Sequence, residues 1–93
     1  MGGCVRKLDL THDAFKFLDH LPAKQFRQVV TKVFALMENP EPQDSKALAG
    51  FEYRRADIGE YRIVYRFDRD FLFVAVIAKR NDSEVYKLLK HKR

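Results

Sequence analysis

The run FLFVAVIA, residues 71 to 78, restricts the fold more than any other stretch of the chain. Every position is apolar, and the length suits a strand rather than a membrane-crossing helix. A strand that is apolar on both faces belongs inside a sheet, with cover above and below. The stretch before it, EYRIVYRF at residues 60 to 67, alternates instead. Tyr61, Ile63, Tyr65 and Phe67 fall on one face; Arg62, Val64 and Arg66 fall on the other. The intervening DRD is short enough to make residues 60 to 78 an antiparallel hairpin. Residues 51 to 57 read as a further strand.

The first half of the chain supplies the cover. Residues 4 to 10 read as a short strand with Val5, Leu8 and Leu10 as apolar members. Thr11 is placed as a helix N-cap with Asp13 in the first turn, and Phe15 and Leu18 share a face of a helix ending near His20. Pro22 suits the start of a second helix, along which Phe26, Val29, Val30, Val33, Phe34 and Met37 step by three and four. Lys24, Arg27, Gln28 and Lys32 take the other side, as a solvated helix face does. NPEPQDSKALAG, residues 39 to 50, reads as a loop because Pro40 and Pro42 stop the helix. A closing helix is expected from Asp82 or Ser83, with Lys87, Lys90, Lys92 and Arg93 toward its end.

The expected fold is therefore α+β. It has an antiparallel sheet of about four strands, two N-terminal helices on one face and a short C-terminal helix, in the order β-α-α-β-β-β-α. One domain is expected over residues 1 to 93, with residues 1 to 3 left outside the argument. A hydrophobic fraction of 46% with twelve Phe and Tyr residues supplies a core and argues against disorder.

Eighteen Lys and Arg face 13 Asp and Glu, a formal charge of +5. That excess suits a polyanionic partner, nucleic acid or an acidic protein, while the plain alternative is a basic surface that aids solubility. Cys4 is alone, so no internal disulfide or thiolate metal cluster is expected, which fits a reducing compartment. His12, His20 and His91 share no ligand spacing. No metal or cofactor is expected. No apolar run has membrane-spanning length, and the N-terminus lacks a signal-peptide stretch, so a cytoplasmic protein without a membrane partner is expected.

The remaining question concerns AKRNDSEVYKLL, residues 78 to 89, which sets two cations and a phenol at the exit of the apolar strand. Arg55, Arg62, Arg66, Lys79 and Arg80 all lie in or at the ends of the three C-terminal strands. Strands about 4.8 Å apart bring such residues within reach of one another. An arginine inside a strand is costly unless its face meets water or an anion. Cross-strand pairing with Asp57, Glu60 and Asp70 is the structural alternative. The register, and hence the shared face, stays open. A patch of arginines beside a tyrosine would grip phosphate oxygens and stack on an unpaired base. The same cations would stabilise the added charge of a pentavalent phosphorus, and in RNA the 2′-hydroxyl supplies the nucleophile without a metal.

GEYRIVYRF followed by FVAVIAKRNDSEVY resembles the RelE toxins of the RelE/ParE toxin–antitoxin superfamily. The matching positions are Tyr61-Arg62, Lys79-Arg80 and Ser83-Glu84-Val85-Tyr86, specific from about Lys46 onward. The resemblance implies a ribosome-dependent endoribonuclease that cleaves messenger RNA in the A site, leaving a 2′,3′-cyclic phosphate and a 5′-hydroxyl. By that resemblance Arg62 stabilises the transition-state phosphate, Arg80 protonates the leaving 5′-oxygen, Tyr86 stacks on or orients the substrate, and Arg55 stands where a strand lysine helps activate the 2′-hydroxyl. Lys46, Arg54, Lys79 and Arg66 are the candidate RNA-binding residues. Tyr53 and Asp57 replace basic residues of the family. An arginine is a poor general base, so either Arg55 only holds phosphate or the proton leaves to a ribosomal group, water or a carboxylate such as Glu52. A cognate antitoxin is the implied partner in a hetero-oligomer, beside messenger RNA on the ribosome. The ParE branch, which shares the fold and inhibits DNA gyrase without this residue set, is the alternative, as is a weakly active homologue acting through its antitoxin complex.

Overall fold

The computed structural model describes residues 5 to 48 and 52 to 80. The elements run β1 (Lys7–Leu10), α1 (His12–Asp19), α2 (Ala23–Glu38), β2 (Ser45–Ala47), β3 (Arg54–Ile58), β4 (Tyr61–Phe67) and β5 (Phe71–Lys79). They form one five-stranded sheet in the order β1-β5-β4-β3-β2. The α+β class holds, with one strand more than expected and a mixed rather than antiparallel sheet. β1 lies parallel to β5, and all other pairs are antiparallel. The extra strand, β2, comes out of the segment expected to be loop. The proposed closing helix lies outside the described residues.

Thr11 does cap α1: its Oγ1 accepts from the Ala14 amide at 3.1 Å. The same hydroxyl donates to the Ala75 carbonyl at 2.7 Å, and the Thr11 amide donates to the Val74 carbonyl at 3.1 Å. These contacts meet β5 at an irregularity. Val64 pairs with Val76 and Tyr65 with Val74, which leaves Ala75 as an extra residue. Such a bulge breaks strict alternation. Hence Ala75 and Val76, though adjacent, both pack with Val64, while Val74 and Ile77 face the helices.

The helix side holds the main core. Val29, Val33 and Leu36 of α2 and Ala14 and Leu18 of α1 pack on Ala56, Ile63, Tyr65, Leu72, Val74 and Ile77. Phe17 meets Tyr61 edge-to-face with centroids 5.8 Å apart. The buried Tyr65 hydroxyl donates to the Pro40 carbonyl at 2.6 Å, so the loop after α2 satisfies the one polar atom of that ring. The helical stripe is rotated from expectation. Leu36, absent from the expected stripe, is fully buried, whereas Phe26 and Phe34 are 41% and 56% exposed. With Phe15, Leu8, Leu10 and Val30 they line an apolar groove of about 310 Å³.

Gly59 opens the two-residue turn between β3 and β4 at φ +57°, a conformation that glycine takes without steric cost. That turn sets Asp57 directly opposite Arg62. Among the described residues no helix is long and apolar enough to cross a membrane.

Candidate nucleic-acid interface

The sheet face away from the helices carries a second, smaller apolar cluster of Leu48, Val64, Ala75, Val76 and Ala78, with Tyr53 packed against it. Beside it lie the cations. Period-two alternation fixes which residues share this face. Ala56 and Ile63 face the helices, so Arg55, Asp57 and Arg62 face away from them. Lys46 pairs directly with Arg55 and shares its face. Arg62 lies opposite Ala78, whose methyl leaves space for the long side chain.

Asp57 is the hub. Its two oxygens accept from Arg62 in a fork, Nε to Oδ1 at 2.8 Å and Nη2 to Oδ2 at 3.3 Å. Arg55 Nη1 donates to Oδ2 at 3.3 Å, and Arg80 Nε stands 3.7 Å from the same oxygen. Arg80 reaches this position from the end of β5. Its amide donates to the Glu60 carbonyl at 2.8 Å and its Nη1 to the Gly59 carbonyl at 3.3 Å. The β3–β4 turn thus docks on the residue that leaves β5. The Arg62, Arg55 and Arg80 side chains are 16%, 26% and 52% exposed, and Asp57 is 28% exposed. The cluster is therefore partly sheltered yet open to solvent on one side.

The electrostatics follow. The hydrogen bond from Arg62 holds the Asp57 carboxyl below the usual carboxylate range, helped by the positive charges of Arg62, Arg55 and Arg80 and opposed by burial. Asp57 stays ionised, and three guanidinium groups share one negative charge. Excess positive charge at hydrogen-bond distance is a phosphate-binding arrangement.

Arg66 stands further along β4, with its guanidinium 4.4 Å from the centre of the Phe73 ring. Tyr53, Arg66 and Phe73 join Asp9 and Thr11 around a second hollow of about 320 Å³. The open face thus offers a phosphate-sized cation cluster and, along the same strands, flat aromatic surface.

Of the residues expected to act together, Arg55, Arg62, Arg80 and Lys46 share one region, and Arg66 lies on the same face beyond the apolar cluster. Arg54 does not join them. It lies on the helix side, where Nη2 donates to Ser45 Oγ at 2.8 Å and Nη1 stands 3.6 Å from Glu41, while its Nε is buried without a hydrogen-bond partner. Lys79 pairs with the helix-facing Tyr61 and so turns away as well. Tyr86 lies outside the described residues. Sequence reasoning treated Asp57 as a cross-strand partner or as a departure from the family, and missed it as the hub. Its spacing of two from Arg55 was the available signal.

The family model for the ParE toxin of type II toxin–antitoxin systems matches residues 8 to 86. No curated protein matches the chain. Among solved structures, a double mutant of the Escherichia coli toxin RelE in the free state is similar at 22% identity and a TM-score of 0.80, over 96% of this chain and 98% of that one. The toxin–antitoxin complex RelBE2 of Mycobacterium tuberculosis is similar at 25% identity and a TM-score of 0.72, over 84% and 94%. The archaeal RelE–RelB complex of Pyrococcus horikoshii is similar at 20% identity and a TM-score of 0.71, over 86% and 100%.

Proposed function

The chain belongs to the ParE toxin family of type II toxin–antitoxin systems and carries the RelE fold, and from that premise we propose a messenger-RNA endoribonuclease that acts on the ribosome. The observation that carries the reading is the meeting of Arg55, Arg62 and Arg80 at one point on the open sheet face. Guanidinium groups so placed neutralise the charge that grows on phosphorus when a neighbouring 2′-hydroxyl attacks it. The 2′-oxygen bonds to phosphorus and the bond to the 5′-oxygen breaks, giving a cyclic phosphate and a 5′-hydroxyl. Arg62, the most sheltered of the three, holds the non-bridging oxygens. Arg80, half exposed at the strand end, hydrogen-bonds the leaving 5′-oxygen, which takes its proton from water. Arg55 and Lys46 grip the neighbouring backbone, Arg66 contacts it further along, and Tyr86 orients the base. Arg54 and Lys79 take no part. None of the three arginines is the general base, because arginine does not release its proton; the 2′-hydroxyl proton leaves to water or a ribosomal group.

The partner in this reading is an antitoxin. The RelE relatives from M. tuberculosis and P. horikoshii were solved as toxin–antitoxin complexes. The exposed rings of Phe15, Phe26 and Phe34 beside the helix-side groove offer this chain an apolar seat for such a protein.

Primer extension on messages from programmed ribosomes tests the reading, with naked RNA as control. Sharp codon-phased cuts that vanish with Arg62→Ala support it, and intact messages in the presence of folded protein refute it. The ParE family match favours one second reading, inhibition of DNA gyrase. DNA damage in intoxicated cells without message cuts would select it.

A further inference from the structure

An acid at the centre of a phosphate site calls for a reason. Asp57 is the common partner of Arg55, Arg62 and Arg80, and it presents two oxygens to the Arg62 fork at 2.8 and 3.3 Å. A phosphodiester presents its two non-bridging oxygens to guanidinium in the same way. Resting on the phosphate-site reading above, we propose that Asp57 is a built-in stand-in for the substrate phosphate: it occupies the arginine fork in the free protein, and a phosphodiester binds by displacing it.

The surroundings permit the exchange. Asp57 is 28% exposed, so its short side chain can turn toward solvent without opening the core. Arg62 has the Ala78 methyl rather than a large group opposite it, so the guanidinium can follow the incoming oxygens. Arg80 is more than half exposed and closes on either anion. Until displaced, the carboxylate keeps three like charges from splaying apart, so the site is formed before RNA arrives. A covalently tethered competitor acts at an effective concentration of about millimolar or more. An isolated RNA phosphate therefore competes poorly. A substrate held by further contacts elsewhere competes well. Asp57 thereby sets a threshold against RNA that is not otherwise held in place. If Asp57 only braced the arginines, its removal would loosen the cluster and weaken anion binding.

The test is binding of a fluorescent eight-nucleotide RNA, 2′-O-methylated so that it cannot be cut, followed by anisotropy across a salt series. Asp57→Asn is expected to bind about tenfold tighter than the wild type. Its salt dependence should keep the logarithmic slope of the wild type, because both proteins hold the same phosphates once Asp57 is displaced. Glu38→Gln, the same charge change at the exposed end of α2, should stay within about twofold. Equal or weaker binding by Asp57→Asn, a gain matched by Glu38→Gln, or no binding by either wild type or Asp57→Asn overturns the proposal. Should Asp57→Asn fail to fold, the wild type answers alone. On titration with the same RNA, the Asp57 carboxylate carbon and the Arg62 Nε–H resonance should shift together. An Arg62 shift with a stationary Asp57 signal overturns the exchange. Neither readout involves cleavage, so the two ideas fail separately. Tighter binding with uncut messages removes only the nuclease reading. Cut messages without tighter binding remove only the role of Asp57.

Discussion

Two faces of one sheet solve different problems with the same strands. On the helix side, Ala56, Ile63, Tyr65, Leu72 and Val74 are fully buried and Ile77 nearly so, and the polar atom of Tyr65 is satisfied by Pro40. On the other side, Asp57, Arg55 and Arg62 occupy positions next in sequence to those core residues. Stability comes from the first face, since buried apolar area contributes about 25 cal/mol per Å². A partly exposed ion cluster adds little to that, because desolvation offsets much of the Coulomb gain. Charge kept at a position of low structural return is what the proposed phosphate-binding role would require.

The contrast is sharpest at two neighbours in β4, Arg62 and Ile63. Ile63→Ala removes a fully buried side chain from the helix side and should cost about 2–5 kcal/mol. For a domain of this size that is a fall in melting temperature on the order of ten degrees or more, read by thermal denaturation. Cleavage per folded molecule should be unchanged. A loss of cleavage with stability intact would break the division between the faces.

Tyr65→Phe is the next largest effect. It leaves the buried Pro40 carbonyl without its donor and should cost about 1–3 kcal/mol in denaturant unfolding, again without altering RNA binding.

Asp57 sharpens the comparison through pH. Its folded carboxyl is held below the ordinary value, first by the Arg62 hydrogen bond. A depressed acid contributes stability that is complete above about pH 5, is lost as pH falls through the unfolded value near 3.9, and is gone below the folded value. Asp57→Asn should therefore be less stable than the wild type at neutral pH, and the gap should narrow as pH falls from about 5 toward 2. Asp68, held low by the Phe71 and Asp70 amides, has the same sign but titrates in both proteins, so the difference isolates Asp57. A gap that stays constant across this range would mean that the carboxylate draws nothing from its three arginines.

The smallest effect belongs to Arg54. It lies on the helix side against Ser45 and Glu41, so Arg54→Met should leave RNA affinity and its salt dependence unchanged. A lowered affinity would place RNA contacts on both faces.

How far the sequence could be read follows the same division. The β4–β5 hairpin was legible nearly to the residue, because alternation in one strand and a two-sided apolar run in the next have few other solutions. β2 was not, since Ser45, Lys46 and Ala47 have no apolar pattern and become a strand only by pairing with β3. The parallel pairing of β1 with β5 depends on contacts more than 60 residues apart, which local pattern does not encode. That Arg62 and Arg80 lie together was legible through their motifs. Arg54 was drawn into that group by charge alone, although its spacing of two from the buried Ala56 puts it on the other face. Phe26 and Phe34 fit the helical period but lie at the margin of the stripe, beside the groove rather than beneath the sheet.

The most direct test compares one variant in two assays. Arg62→Ala is measured for melting temperature and for cleavage of messages on programmed ribosomes. The expected result is a change in stability of about 1 kcal/mol, because Arg55 and Arg80 still face Asp57, with cleavage lowered at least about a hundredfold. A folded Arg62→Ala protein that cuts as well as the wild type would contradict the assignment of this face to phosphate.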